Sequence, residues 1–526
     1  MFPSNKRVLE KDNPSSNEDQ HKPYRDHGND VEPFDNLYFD FASPPYRNML
    51  KGENLQLEDQ KHKKDSPFAS LRIVKDFASR SRKLNGERIH IPSSNNESRE
   101  SNDKKLSTIE RIRIAGLHFI ETYSSNLDEM SNPSQLFPVL SAELADEAKD
   151  IDLLLNLLVS ADKTSLKQFA DASKLIDLCT KRSSIEGTTV ERLVYYFSEA
   201  IREKINRETG KDTSEGVESM RMFDLQKALM SVDASILAFH QKVPLSPVCQ
   251  FTAMHTILEN VGNAQHIHVI DLEIRTGMQY TVMMQAIASR TEWRLKHLKI
   301  TAICTRSKSK IKDTCHNLAE FAHSMNIPFS YNIVMVADML DFNIDILELD
   351  RHERVAVYSA ISLSSLIVKP NRLEHLMREI RKINPCIMIV TEVEANHTSL
   401  EFVDRFISAL FFYGALFDSL SICLANDELN RKVGEAIYFA YPIRNIVSAE
   451  GDDRTIRHVG IDVWRAFFAR FRMSEVELSG ESLNEAKLLI NSFDCGNLCS
   501  LHVDGRCFRV TWNDVPIFSV SAWKFV

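Results

Sequence analysis

Asp271 closes a short apolar run, His268-Val269-Ile270-Asp271, six residues ahead of Gly277. A carboxylate at the end of a buried strand, followed by a tight turn and a helix, is how open α/β sheets hold small ligands. Residues 266–290 fit that unit, with Met278, Val282, Met283, Ala286 and Ile287 at helical spacing after the turn at Gly277. The turn limits the chemistry. A cofactor loop brings backbone against its ligand and needs several glycines for close approach and positive φ. The segment Asp271–Gly277, DLEIRTG, has one glycine, with bulky Ile274 and Arg275 in the way. Asp271 is expected to cap the turn or pair with an arginine. No catalytic or cofactor-binding residue is expected.

Two other groups have residue types suited to chemistry. Cys495, Cys499, His502 and Cys507 gather soft and borderline metal ligands within thirteen residues. Zinc sites favour gaps of two to four residues within each ligand pair. Here Cys499 and Cys507 straddle a hairpin turn, and strand alternation puts Cys499 and His502 on opposite faces. Free cysteines in a small β-structure are expected, with no metal. Glu450, Gly451, Arg454, Arg457 and His458 lead into a helix carrying Trp464. Arginines three apart can clamp carboxylates such as Glu450 or Asp271 in bidentate pairs, fixing how helical and sheet layers meet. No G-x-S-x-G elbow, P-loop or GxGxxG occurs. Isolated histidines such as His255, His316 and His458 are expected to be packing or surface residues.

These groups are positioned by two kinds of element. From 107 to about 240 the pattern is helical, with capping-box spacing at Ser107/Glu110 and Thr188/Glu191 and apolar stripes behind each. From about 243 onward, strands alternate with helices: strands at 266–272, 298–304, 329–336, 354–362 and 386–393, then a hairpin around Asp504-Gly505 and a last strand at 517–522. Strands separated by helices of this length imply right-handed crossovers and a mainly parallel sheet. Residues 1–105 hold 8 of the 17 prolines among abundant Ser, Asn, Asp and Lys, a composition expected to remain disordered. Within them, 31–45 interleave aromatic and acidic residues like an activation segment, 66–84 suggest a short amphipathic helix, and Lys61/Lys63/Lys64 and Arg80/Arg82/Lys83 form small basic clusters.

Composition narrows the class. A net charge of −9 gives no general attraction to DNA or an anionic membrane. With no run of 18 apolar residues and no secretory h-region, a soluble intracellular protein is expected. Nine scattered cysteines suit free thiols in a reducing compartment.

The chain also resembles the GRAS family of plant transcriptional regulators. His268, Val269, Ile270, Asp271 and Gly277 look like that family's VHIID motif. Glu450, Gly451, Arg454, Arg457, His458 and Trp464 are similar to the tail of its PFYRE region. Ser521, Ala522 and Trp523, with Trp512 and Pro516, reproduce its SAW motif. The three stand in order over residues 107–526. There are departures: Leu272 replaces the usual Phe, Tyr280 the usual Trp, and Tyr441-Pro442 degrade the central PFYRE signature. No DELLA or TVHYNP-like motif occurs in 1–105.

The resemblance implies a Rossmann-like, methyltransferase-like, mostly parallel sheet. It implies a helical, leucine-rich cap (106–240), an α/β core (241–526) and a disordered region at 1–105. It further implies a nuclear, non-enzymatic scaffold that binds DNA-binding transcription factors and other GRAS proteins, with DNA contact weak or indirect. The alternatives are an S-adenosylmethionine-dependent methyltransferase-like enzyme or small-ligand binder on the same fold, and a direct sequence-specific DNA binder.

Overall fold

The computed structural model describes residues 106–125, 145–211, 232–290, 292–305 and 308–526. The expectations for 1–105 lie outside the described residues. The chain begins with helices α1 (Thr108–Ser125), α2 (Ala145–Ser165), α3 (Phe169–Lys181), α4 (Thr189–Thr209), α5 (Val232–Lys242) and α6 (Leu245–Val261). Both expected capping boxes form. Glu110 N–H donates to Ser107 Oγ while Ser107 N–H donates to Glu110. Thr188 and Glu191 do the same at the head of α4, which Gly210 ends at φ +69°.

An alternating series follows: β1 (His266–Asp271), α7 (Met278–Ser289), β2 (His297–Cys304), α8 (Lys308–Ser324), β3 (Phe329–Met335), β4 (Arg354–Ala360), α9 (Pro370–Ile383) and β5 (Ile387–Val393). The remaining helices are α10 (Phe402–Cys423), α11 (Glu428–Val433), α12 (Ala440–Ser448, entered through a π turn), α13 (Ile461–Arg470) and α14 (Gly480–Asn491). Strand β6 (Met473–Val476) precedes α14, and β7 (Cys499–Asp504), β8 (Cys507–Trp512) and β9 (Val515–Phe525) end the chain.

The nine strands form one sheet in the order β3-β2-β1-β4-β5-β9-β8-β7, with β6 also on β9. Strands β1 to β5 are parallel, and β6 to β9 pair antiparallel. The sheet is therefore the expected Rossmann-like one, and the order reverses between β1 and β4. β5, IMIVTEV, is buried along its whole length, as a central strand covered on both faces must be. Below it, Leu373, Leu376, Met377 and Ile380 of α9 and Trp464, Phe467 and Phe468 of α13 form one core with Ile303, Val357, Met388 and Trp523.

Two features add to the sequence reading and one corrects it. The helices of 108–209 pack on helices from far along the chain, α10 and α12. α10 is long and apolar enough to cross a membrane by length and composition, although no unbroken apolar run marks it. Arg405, Asp418 and serines interrupt the run, and most of the helix is buried between the other helices and the sheet. Finally, Cys423 and Cys495 are joined as a disulfide, so two of the nine cysteines are not free thiols.

Candidate functional site

The crevice beyond β1 and β4 is where a fold of this topology opens to ligands. Asp271 reaches it fully buried. It pairs with no arginine there. Its carboxylate accepts hydrogen bonds from the Glu273 N–H (3.0 Å), Gln279 Nε2 (3.2 Å) and the Tyr280 hydroxyl (2.8 Å). The aspartate thus caps its own turn and holds the first turn of α7. Burial pushes its carboxyl up to about 6 despite these three bonds, which favour the charged form. Gly277 makes the turn at φ +71°, a region closed to most side chains.

The turn that follows Asp271 is bonded to the neighbouring strand end and to α8. Leu272 and Ile274 are buried. Arg275 crosses to the Ile361 carbonyl (3.2 Å), while its own carbonyl accepts from Thr314 Oγ1 (3.1 Å). Ile361 is held at φ +54°, costly for a β-branched residue, with its N–H on Thr391 O (2.7 Å). Beside it Glu392, buried in the mostly apolar β5, accepts from the N–H groups of Leu363 and Ser364. Burial raises its carboxyl to about 7.

An added Cβ at Gly277 would lie 2.9 Å from both Leu318 Cδ1 and Thr314 Cγ2. Gly277→Val is therefore expected to cost about 3 kcal/mol in strain and overpacking. Urea unfolding measures it, and a cost under about 1 kcal/mol would show that the turn relaxes freely.

His268 sits in the middle of the sheet, bridging Glu353 through Nδ1 and Thr301 Oγ1 through Nε2, each at 2.7 Å. Burial lowers its pKa, and Glu353 works against that. Val269 and Ile270 are core residues.

The second motif joins layers differently from the expected clamp. Glu450 accepts from Lys204 of α4 (2.8 Å) and Arg405 of α10 (2.5 Å). Burial pushes its carboxyl up, but those two cations outweigh it and leave the pKa below the ordinary range. Arg454 and Arg457 are directed at backbone instead: Arg454 at the carbonyls of His397 and Ser399, Arg457 at those of Arg454 and Gly451. Trp464 is buried, stacked on Phe468 with centroids 5.8 Å apart.

His458 meets His397, Nδ1 to Nδ1 at 2.9 Å, under the rings of Phe412 and Tyr413. A neutral imidazole donates to its neighbour across this contact, and a proton on both would break it. Burial drives His458 down to about 4, and burial together with His458, Arg405 and Arg454 drives His397 well below its usual value. The unfolded chain therefore binds more protons between about pH 4 and 6.5. Stability from His458 is complete above pH 6.5 and falls by on the order of 3 kcal/mol as pH drops to 4. Urea midpoints of wild type and His458→Gln across pH 4 to 7.5 should converge on acidification; parallel profiles would remove the pair from this account.

At the chain's end, Trp523 is buried, its Nε1 on Ser521 Oγ (2.9 Å), while Ser521 Oγ donates to Val390 O. Ala522 is buried between β5 and β6, and Pro516 lies at the β8/β9 irregularity opposite Thr511. Trp512 Nε1 and Asn513 Nδ2 both donate to Asp418 of α10 at 2.8 Å. Nearby, Arg465 gathers Asp462, Glu475 and Asp504, and Arg509 joins Asp504 to Glu394. Cys499, His502 and Cys507 form no metal cluster. Among the described residues no three His, Cys, Asp or Glu side chains are placed to hold an ion. Most of the motif residues are thus engaged within the fold, while Glu450 and Gly451 are exposed.

Sequence reasoning missed Gln279 and Tyr280 as partners of Asp271, and also Glu392, His397 and Arg405. Glu392 and Arg405 carried a signal, each a charge inside an apolar stretch that must be buried. His397 carried none.

The comparisons fit this architecture. A family model described as the GRAS domain family matches residues 153–524. DELLA protein 2 of Medicago truncatula is 27% identical over 447 residues, covering 82% of this chain and 79% of that protein. DELLA protein GAI1 of Vitis vinifera is 27% identical over 71% of the chain, which spans only 62% of the grape protein's length. A structure titled as SCL7 in Oryza sativa superposes with a TM-score of 0.59 at 23% identity, over 71% of this chain and 99% of that one, which speaks for the fold alone.

Proposed function

Because the chain belongs to the GRAS domain family and is a plant regulatory protein, we propose that it acts as a transcriptional co-regulator that docks DNA-binding transcription factors on a rigid surface. The observation that supports this reading is the hydrogen bonding of Asp271 within its own turn. Asp271 is consumed by Tyr280, Gln279 and its own turn, and the exposed Arg275 bonds the Ile361 carbonyl. A chain that spends its ligand-facing carboxylate on itself works through its exterior. The net charge of −9 favours indirect recruitment over a direct grip on phosphates. The proposed place of action is the nucleus, and the proposed partners are DNA-binding factors and other members of the family.

The test is affinity purification of the full-length protein from plant nuclei after nuclease treatment, with mass spectrometry of what co-purifies. DNA-binding factors retained despite the nuclease would support the reading. Loss of all partners on nuclease treatment would favour direct DNA binding. Saturable binding of S-adenosylmethionine by the purified protein, seen by calorimetry, would mean that the crevice opens and that the enzyme alternative holds.

A further inference from the structure

Seven of the nine cysteines are free, and their surroundings suppress reactivity. Burial pushes Cys179, Cys304, Cys499 and Cys507 up to about 12 and Cys315 to about 11, and raises Cys249 and Cys386 as well. Thiols held this way carry almost no thiolate near neutral pH and oxidise slowly. The other two differ in position. Cys423 is the last residue of α10 and is half-buried beside the exposed Ile422. Cys495 lies in the turn between α14 and β7, 72 residues further on, with a Cα–Cα separation of 6.0 Å, well within disulfide reach.

Polar contacts surround the pair. Lys242 at the end of α5 pairs with Asp427 just beyond α10 (3.0 Å), and its carbonyl lies 3.5 Å from Cys495 Sγ. Ser235 of α5 donates to Asn430 of α11 (2.7 Å). At the other side of the same junction, Asp418 of α10 holds Trp512 and Asn513 of the terminal hairpin. Asn513 N–H also donates to Leu498 O (2.9 Å), three residues past Cys495, so α10 is tied to the Cys495 turn without the sulfurs.

We propose that Cys423 and Cys495 are a reversible thiol–disulfide modification site, closed by hydroperoxides and reopened by dithiols, that locks α10 of the helical layer to the turn feeding the terminal hairpin. In the closing reaction the more accessible Cys423 thiolate attacks a peroxide oxygen. The O–O bond breaks, and with one proton the products are a sulfenic acid and water. Cys495 then attacks the sulfenic sulfur, forming the S–S bond and releasing a second water. Two thiols and one hydrogen peroxide give one disulfide and two waters, so two electrons pass from sulfur to peroxide. A dithiol returns them by exchange through a mixed disulfide.

The test uses the full-length protein, reduced with dithiothreitol, desalted and exposed to increasing hydrogen peroxide. Non-reducing peptide mass spectrometry should find the Cys423–Cys495 cross-link before any other cysteine changes. The thermal midpoint should rise by on the order of 5 °C, and dithiothreitol should reverse both changes. Cys423→Ser and Cys495→Ser should each keep the reduced wild-type midpoint and lose the peroxide-dependent rise. Oxidation falling first on other cysteines would overturn the proposal, as would a cross-link that forms only after unfolding. The wild-type mass spectra decide this even if a variant folds poorly.

Discussion

Trp523→Ala lowers the stability of the folded domain by about 4 kcal/mol, because the indole is the keystone of the antiparallel end of the sheet. β9 has β5 on one edge and, at this residue, β6 on the other: Met388 and Glu475 both stand opposite Trp523. The ring is 2% exposed and lies 4.6 Å, centroid to centroid, from Phe468 of α13. Alanine opens a cavity between strand and helix that neither can close, since β9 is fixed by pairing on both edges. It also leaves Ser521 Oγ without its donor. Trp523→Phe keeps much of the packing and should lose roughly half as much. Urea unfolding followed by circular dichroism gives the magnitude, and amide exchange should show β6 and β9 opening first. A Trp523→Ala protein within about 1 kcal/mol of wild type would mean that the helix collapses onto the strand. If the residue acted instead as a partner contact, binding would fall while the unfolding midpoint stayed in place.

The two ends of the sheet were unequally legible. β1, β2, β4 and β5 are buried on both faces, so their apolar runs stand out, and the sequence places each of them to within a residue or two. β6, only four residues, half-exposed and containing Ser474 and Glu475, offers neither a run nor a clean alternation, and it exists because β9 supplies an edge. The crevice was half legible. One glycine with Ile274 and Arg275 announces a closed turn, but that Arg275 spans to Ile361 depends on a separation of 86 residues that no local pattern encodes. The Glu450 region misled for a related reason. Spacing shows that Arg454 and Arg457 share a side. Which acceptor each meets is settled by a turn at Gly451, φ +56°, that lays carbonyls within their reach, and by Lys204 and Arg405 arriving first at the carboxylate.

Arg405→Ala is expected to cost about 4 kcal/mol, and Arg405→Lys most of that, while Glu450→Gln costs under about 1 kcal/mol. The inequality follows from where the guanidinium's bonds go. Arg405 is fully buried in the apolar α10, with Nε on Ile446 O (2.9 Å), Nη1 on Ser399 O (2.7 Å) and Nη2 on Glu450 (2.5 Å). The glutamate side chain is 48% exposed and already paired with Lys204, so water and that lysine replace what the arginine gave it. The carbonyl of Ile446, buried in the last turn of α12, has no such recourse, and an unsatisfied buried acceptor forfeits its full desolvation cost. Lysine carries the charge but not the planar fork, so it can serve one acceptor of the three. The three variants compared by urea unfolding separate the two accounts. If Glu450→Gln matched Arg405→Ala, the ion pair would be the dominant link between the helical layer and the 450–458 segment. If the glutamine variant stays near wild type while Arg405→Lys falls with Arg405→Ala, the layers are joined by a charged side chain used for its geometry. The surface proposed to receive partners then depends on that geometry being kept.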